Sequence, residues 1–329
     1  MMCGGSRLAI ASLHVALAIG ISACTTATPA HQSAAVESAD RSTDRAQTTT
    51  PRATPTPTAA IIGELDAGGA GWAMTKAGGA LWIQVDPPVD AIVRIDTRTG
   101  ARKPAVPLGW KAKSGEEGLW VVCCDWLAKV DPATGDELLR IPMGGAMALA
   151  EGAVWLLNDG GLYRIDPATG TVGKPVRSMD RAACDSPKDL TVASGSAWLA
   201  CKEGAVVRIE IATGASTSIP TAAGAHTFTL ADGAVWVTNY EAGSVSRIDP
   251  ATNKTTEIEG AGSGVGITSG AGFIWAAAQS GIAKIDAATN TIVDTVALGP
   301  GEYYELVWDD GIIWASTRTN RILKIDPSR

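Results

Sequence analysis

The chain has 329 residues, 46% of them hydrophobic, with 37 Gly and with 11 Trp against only 2 Phe, a composition that excludes a disordered chain and is atypical of a helical enzyme. The formal net charge is −7 and the Lys and Arg residues are scattered singly. This balance argues against a surface for nucleic acid or for anionic lipid.

The first 23 residues have the pattern of an export signal. A charged start is followed by the apolar run Leu8–Ser22, which is too short to span a bilayer. The run ends in ISAC at Ile21–Cys24, which resembles the lipobox of bacterial lipoproteins. That resemblance implies cleavage after residue 23 and a lipid on Cys24, which would hold the protein on the outer face of the cell membrane. The alternative is an ordinary secretory signal cut near Ala23, and it also places the protein outside the cytoplasm.

The next segment, which with Cys24 covers residues 24–60, has the composition of a tether. Thr, Ala, Ser and Pro make up 26 of the 36 residues from Thr25 to Ala60. Such a segment cannot bury a core, and we expect it to be a solvated linker.

A repeat of about 40 residues then fills the chain from residue 61 to the end. A Trp that follows an apolar residue recurs at steps of 38, 35, 43, 38, 39 and 39 residues. These residues are Trp82, Trp120, Trp155, Trp198, Trp236, Trp275 and Trp314. An apolar–acidic pair follows each Trp, at Asp96, Asp131, Asp166, Glu210, Asp249, Asp286 and Asp326. Four short strands per repeat are typical of a propeller blade, and the sequence therefore predicts an all-β fold with one seven-bladed β-propeller over 61–329.

The last repeat ends just after its third strand, at Asp326–Arg329. Aligning Trp82 with Trp314 places Ile61–Leu65 over the fourth strand of the preceding repeat. We therefore expect the N-terminal strand, about residues 61–66, to complete the last blade. This circular closure leaves no exposed sheet edge in the ring.

The fifth repeat carries the sequence VWVTN at Val235–Asn239, followed by SRIDPATN at Ser246–Asn253. This pattern resembles the YVTN-type propeller repeats, and the resemblance covers all of 61–329. It implies the fold but no single activity, because such folds host many functions.

The start of each expected inner strand lies ten residues before the repeat Trp, at the mouth of the central channel. Five of these seven positions carry an aromatic or basic residue: Trp72, Trp110, Lys188, His226 and Tyr304. They predict a ligand funnel on the face where the inner strands begin, which we call the top face. The variable connections between blades lie on the same face. The alternative is that they only plug the channel.

His226 is the only histidine of the repeat region, which excludes a metal site with two or three histidines. In GAHTFT at Gly224–Thr229, ahead of Trp236, it is similar to the His that opens an inner strand in the virginiamycin B lyases, which are seven-bladed propellers. That resemblance implies that His226 is a base that opens a lactone by elimination, aided by magnesium, with Glu302 or Glu241 as a carboxylate beside the metal. The WFTE repeats of those lyases are absent here. The metal ligands are unknown, and Mg²⁺ and Ca²⁺ are the candidate ions.

Four cysteines remain after Cys3 and Cys24 are set aside, an even number that outside the cytoplasm favours disulfides. Cys184 and Cys201 both fall on the expected top face, and we expect a bridge between them. Cys123 and Cys124 would then form an adjacent-residue disulfide or stay reduced.

These observations favour a lipid-anchored extracytoplasmic propeller that binds a small molecule or a protein on its top face, without catalysis. We expect a monomer that meets the membrane only through its lipid and binds no nucleic acid. The first alternative is a metal-assisted lyase that uses His226, and the second is a purely structural role in the cell envelope. A lyase needs His226, a carboxylate and a divalent ion together, whereas binding needs only the funnel.

Overall fold

The computed structural model describes residues 60–86, 89–107, 109–176, 184, 187–299, 301 and 303–329. These residues belong to one compact unit, Pro55–Arg329. The expected signal, the lipid-bearing Cys24 and the tether as far as residue 59 lie outside the described residues. No helix in the described part of the chain has the length and apolar character that crossing a bilayer requires.

Seven antiparallel sheets form the blades of a β-propeller, as the repeat predicts. The first strands of the blades are β2 (Gly71–Ala77), β6 (Lys111–Gly115), β10 (Ala146–Ala150), β13 (Pro187–Ala193), β17 (Ala225–Ala231), β21 (Ile267–Gly270) and β25 (Tyr303–Asp309). The second strands are β3 (Ala80–Val85), β7 (Gly118–Val122), β11 (Ala153–Asn158), β14 (Ser196–Cys201), β18 (Ala234–Asn239), β22 (Phe273–Ala278) and β26 (Ile312–Thr317).

The third strands are β4 (Ala91–Asp96), β8 (Leu127–Val130), β12 (Gly161–Ile165), β15 (Ala205–Glu210), β19 (Ser244–Ile248), β23 (Gly281–Asp286) and β27 (Arg321–Ile325). The outer strands are β5 (Arg102–Pro107), β9 (Glu137–Ile141), β16 (Ser216–Pro220), β20 (Thr255–Glu259), β24 (Thr291–Ala297) and β1 (Ile61–Asp66). Each first strand contacts the first strand of the next blade, and β25 contacts β2, so the seven first strands close a ring around the central channel.

The repeat Trp residues join the blades. All seven are at most 2% exposed. The buried apolar side chains form seven clusters, and each cluster lies between two neighbouring blades. In five blades the indole N–H also donates to the backbone carbonyl five residues earlier, as Trp236 does to Ala231 at 3.1 Å. The Trp period seen in the sequence is therefore the period of blade-to-blade packing.

A Lys or Arg lies directly opposite every repeat Trp on the third strand. In the fourth blade the guanidinium of Arg208 lies 5.0 Å from the Trp198 ring centroid. Its Nη1 donates to the carbonyl of Pro250 in the next blade at 2.6 Å. Lys129 makes the same kind of contact, to the carbonyl of Pro167 at 2.9 Å. One cation thus covers the Trp of its own blade and ties that blade to the following one.

In the last blade, residues from the two ends of the propeller together form a turn that a continuous stretch of chain forms in other blades. Between the third and fourth strands of the fifth blade, the Asp249 N–H donates to the Lys254 carbonyl at 3.0 Å. In the last blade the Asp326 N–H donates to the Ala60 carbonyl at 2.9 Å. The ladder then pairs Ile61 with Ile325, and the full β1 register runs antiparallel along β27. The expected closure by the N-terminal strand is present.

The third blade departs from the four strands that each repeat predicts. Its sheet contains β10, β11 and β12, and the following segment is joined to β12 by the single bridge Ile165–Val172. Gly173 and Val176 still donate to carbonyls of the β12 region at 2.9 and 2.7 Å. Pro175 lies between them and has no N–H to donate, which prevents a regular ladder at this edge.

Candidate functional site

The candidate funnel residues lie at one end of the inner ring, where the first strands begin. We call this end the mouth. The rings of Trp72 and Tyr304, from the first and last blades, have centroids 4.4 Å apart. The Trp72 indole N–H also donates to Asp86. Trp72 and Trp110 are 39% and 41% exposed, which is high for Trp, and they present apolar surface to the solvent at the mouth.

Four of the seven first strands carry a β-bulge at the mouth, each with one extra residue on the inner strand. The bulged segments hold Trp72, the pair Lys188 and Asp189, His226, and the pair Tyr304 and Glu305. A bulge breaks the strict alternation of side chains and re-aims those beside it, and bulges often lie next to functional sites.

Side chains of the second strands satisfy N–H groups freed by the bulges. Thr238 accepts from the Thr227 N–H at 3.2 Å, and Ser316 accepts from the Glu305 N–H at 3.1 Å. Both hydroxyl side chains are fully buried. The N–H groups of Thr227 and Glu305, in the bulges of β17 and β25, therefore have the hydrogen-bond partners that buried donors need.

His226 is the second residue of β17. Its Nδ1 is 3.0 Å from the Thr227 hydroxyl, and its ring lies edge-on to Tyr240 at 5.8 Å between centroids. Burial lowers the pKa of His226 to about 4, and the positive charges of Lys111 and Lys188 act in the same direction. The imidazole is therefore neutral near pH 7 and able to accept a proton.

Below the mouth, three charged side chains meet inside the channel. The Nζ atoms of Lys111 and Lys113 lie 2.8 and 3.0 Å from Oδ1 of Asp189, which is 5% exposed. Oδ2 of Asp189 accepts from the Phe228 N–H at 3.3 Å, and Lys113 also donates to the Leu190 carbonyl at 3.1 Å. Against its burial, the two ammonium groups hold the pKa of Asp189 well below its usual range.

This ion pair bridges the second and fourth blades. The strand between them, β10, has Ala146 and Ala148 at the matching positions, and these small side chains leave room for the long lysines. Glu305 completes the group from the last blade, and burial raises its pKa to about 7, although Lys111 opposes the shift. The carboxylates of Asp189 and Glu305 in turn raise the pKa of Lys111, even though burial acts to lower it.

The sequence analysis did not identify Lys111, Lys113, Asp189 or Glu305. A signal was present, because Lys111, Asp189 and Glu305 all stand nine residues before their repeat Trp, one residue beyond the funnel positions. Strict alternation directs residues nine and ten before the Trp to opposite faces, so a regular strand would not place both side chains in the channel. The bulges remove that restriction in the fourth and last blades.

Of the two carboxylates expected beside a metal, the structure describes Glu241. Glu241 pairs with Lys202 at 3.1 Å and accepts from the Tyr240 hydroxyl at 2.9 Å. Glu302 lies outside the described residues. Among the residues that the structure describes, no group of three or more His, Cys, Asp or Glu side chains could hold a metal ion.

Two of the cysteines form a bridge at the mouth. Cys184 and Cys201 are joined by a disulfide, the pairing that the sequence analysis favours, with Cα atoms 5.6 Å apart. Cys123 is a free thiol, whereas Cys124 belongs to a disulfide that does not include Cys123. The adjacent-residue bridge considered for these two is therefore not formed. Adjacent Cα atoms lie about 3.8 Å apart, which is closer than disulfide geometry prefers.

No known protein-family model matches the chain, and no curated protein matches it. Several solved structures do share the fold. Virginiamycin B lyase from Staphylococcus aureus has a TM-score of 0.62 at 17% identity, over 80% of this chain and 98% of that chain. BamB from Moraxella catarrhalis has a TM-score of 0.52 at 16% identity, over 78% and 84% of the two chains.

The WD40 propeller domain of Doa1 has a TM-score of 0.63 at 10% identity, over 80% of this chain and 96% of that chain. These three proteins differ in kind, as their names show, and every identity is below one fifth. The comparisons therefore show that the chain shares the β-propeller fold with virginiamycin B lyase and other propellers.

Proposed function

We propose that this protein is a membrane-anchored, extracytoplasmic binding module that takes a ligand at the mouth of its propeller. The observation that carries the proposal is the contact of the exposed Trp72 with Tyr304, with the exposed Trp110 on the neighbouring blade, above a buried charged group. Aromatic surface beside a few placed polar groups is the usual composition of a ligand site.

The anchor is the part of the proposal that rests on the sequence alone. The lipobox-like ISAC and the tether composition support it. Membrane fractionation of the full chain and of Cys24→Ala tests it. We expect the variant to leave the membrane fraction, and equal distribution of the two proteins would count against a lipid on Cys24.

A ligand screen tests binding at the mouth. The purified full chain, kept in detergent, is melted in the presence of organic acids, sugars, peptides and lactones, with and without Mg²⁺ or Ca²⁺. We expect stabilising compounds whose effect is lost in Trp72→Ala and in Trp110→Ala. Val293→Ala is the matched control, because Val293 is 51% exposed on an outer strand far from the mouth. A screen without hits, or hits that both Trp variants retain, would overturn the proposal.

A second candidate function is lactone opening at His226. The favouring observation is the neutral imidazole, whose pKa is about 4, at the start of an inner strand in a fold shared with virginiamycin B lyase. In this reaction His226 takes a proton from the carbon next to the ester-bearing carbon. An alkene forms, the C–O bond of the lactone breaks, and the carboxylate leaves with the electron pair.

Incubation with quinupristin, the compound present in one of the lyase structures, tests this activity. Elimination yields a linear product with the mass of the substrate, so chromatography is needed to separate the two, whereas hydrolysis adds the mass of one water. We expect His226→Ala to abolish any elimination that requires Mg²⁺. If the full chain with Mg²⁺ leaves the lactone intact, this candidate function is ruled out for that substrate.

A further inference from the structure

The inner strands around the charged group carry more positive than negative charge. The cations are Lys111 and Lys113 on β6 and Lys188 on β13, whereas the anions are Asp189 on β13 and Glu305 on β25. The neighbouring His226 on β17 is neutral near pH 7. This surplus lies inside a protein whose formal net charge is −7, so it is a local feature of the channel.

The two lysine side chains are partly exposed, whereas the carboxylate that pairs with them is buried. The side chains of Lys111 and Lys113 are 27% and 24% exposed, whereas that of Asp189 is 5% exposed. Solvent in the channel therefore meets the two lysines, with Asp189 buried behind them.

The hydrogen bonds of this group leave donors unused. Each ammonium has three N–H bonds. Among the described residues, Lys111 donates once, to Asp189, and Lys113 donates twice, to Asp189 and to the Leu190 carbonyl. Three of the six donors remain, two on Lys111 and one on Lys113. Asp189 cannot take all three, since Oδ1 already accepts both lysines and Oδ2 accepts the Phe228 N–H, which leaves one acceptor site on Oδ2.

We infer that the channel binds an organic anion, with its acid group held by Lys111 and Lys113 and its flat apolar body on Trp72 and Tyr304. This inference rests on the proposed binding function and names the ligand class for the same mouth. A carboxylate or a phosphate would use the free ammonium donors, since charge-assisted hydrogen bonds to such groups are strong.

The spacing of the residues limits the shape of the ligand. Trp110 precedes Lys111 in the chain, and Tyr304 precedes Glu305. Consecutive residues on a strand are about 3.3 Å apart along its axis, so the aromatic level and the charged level are separated by a few ångströms. An acid group attached directly to a ring, or one carbon away from it, fits that separation.

Glu305 makes the affinity depend on pH. It shares the channel with Lys111, Lys113, Lys188, Asp189 and His226, while the described residues of β2, β10 and β21 near the mouth carry no charge. When Glu305 is protonated, Lys111 has one fewer anionic neighbour and attracts the ligand more strongly. Since burial places the pKa of Glu305 at about 7, we expect binding roughly tenfold tighter at pH 6 than at pH 8.

Calorimetric titration of the full chain in detergent with 2-naphthoate tests the inference. The neutral 2-naphthamide has the same ring without the charge, and inorganic phosphate has charge without the ring. We expect 2-naphthoate to bind at least tenfold more tightly than either. Lys111→Gln and Lys113→Gln should each weaken binding about tenfold, and Lys111→Arg should retain most of it.

Two further variants separate a binding role from a structural one. Asp189→Asn frees both ammonium groups, so it should tighten 2-naphthoate binding while lowering the melting temperature. Lys76→Gln is the matched control, because Lys76 lies at the opposite end of β2 and pairs with Asp309. It should leave binding unchanged.

Equal affinity for 2-naphthoate and 2-naphthamide, lost in Trp72→Ala, would overturn the anion inference while leaving the proposed binding function intact. Weaker 2-naphthoate binding in a folded Asp189→Asn variant would also overturn it. If 2-naphthoate does not bind, the inference fails, and the wider ligand screen decides whether the mouth binds anything else.

Discussion

Asp189 and Glu305 face the same lysines from opposite sides of the channel, yet burial affects them differently. Asp189 accepts two ammonium groups and a backbone N–H, so its charge is compensated and its pKa falls. Glu305 makes no direct ion pair with either lysine within the described chain, and burial raises its pKa to about 7. One carboxylate therefore holds the lysines in place, and the other titrates near neutrality.

Glu305→Gln should change the pH dependence of stability. A raised folded pKa means that the fold favours protonated Glu305, so the stability it contributes is complete below pH 4.5 and is lost as the pH rises through about 7. Gln carries no charge at any pH. We expect the variant to be more stable than the parent by up to about 3 kcal/mol at pH 8, and equal to it at pH 4.5. Urea unfolding at both pH values measures the difference.

His226 supplies the control for that experiment. Its pKa is lowered to about 4, so its contribution is present above pH 6.5 and is lost as the pH falls toward 4, the reverse of Glu305. In the parent protein the two trends offset each other. A Glu305→Gln variant whose stability does not fall between pH 6.5 and 4 would contradict the lowered pKa of His226.

The sequence predicts the level of the mouth, with Lys188 and His226 among its residues, but not the ion pair below it. Trp72 and Tyr304 were placed together by counting back from the repeat Trp, and the structure brings their rings into contact. Lys111 and Asp189 were not foreseen, because their pairing spans the intervening blade and a bulge sets the direction of Asp189. Repeat periodicity locates a residue along its blade and says little about contacts across the channel.

At the scale of the blade, the disulfide secures the strand that carries Asp189. Cys201 ends β14 and lies opposite Pro187 in the ladder, at the point where the bulge of β13 begins. Cys184 is 4% exposed, and its bridge to Cys201 closes a loop with a sequence separation of 17. The bridge thus ties Cys184, which precedes the fourth blade, to the end of β14.

Replacing Cys184 and Cys201 together by Ala should lower the free energy of unfolding by about 3 kcal/mol, the cost expected for a loop of this length. Denaturant titration without reductant measures it. Cys123→Ser is the matched control, since that thiol is free and partly exposed, and it should change stability by less than about 1 kcal/mol. Equal stability of the double variant and the parent would argue against the bridge.

The strands and turns of a blade were predictable wherever the residues that recur in every repeat determine them. Trp236 packs between blades and Asp249 accepts the N–H groups of Ala251 and Thr252, as expected of a turn-forming residue. The third blade was not predictable in this way. Its outer segment has the turn of the other blades, but Pro175, which has no N–H, then interrupts the ladder.

At the scale of the whole molecule, β1 closes the ring by pairing with β27, and the Arg321 guanidinium donates to Glu64 across that pair. Deleting Ile61–Asp66 should therefore lower the melting temperature of the entire propeller, because the last blade loses its outer strand and exposes an edge. Thermal unfolding followed by circular dichroism measures this loss.

Transposition provides the matched control. Joining residues 59–66 behind Arg329 leaves six residues between Ile325 and Ile61, the same number that separates Ile248 from Thr255. This rearranged chain should recover most of the melting temperature that the deletion loses. If its melting temperature equals that of the deletion variant, the closing strand does not act through its pairing with β27.

The two strands that close the ring, β1 and β27, are synthesised at different times. A ribosome makes β1 first among the propeller strands and β27 last, about 250 residues later, which at ~5–20 residues per second is roughly 10 to 50 s. Throughout that interval β27, the partner of β1 in the closed ring, has not yet been made. Completion of the ring is therefore a step that can begin only after β27 has been made, and the speed of synthesis sets the shortest possible wait.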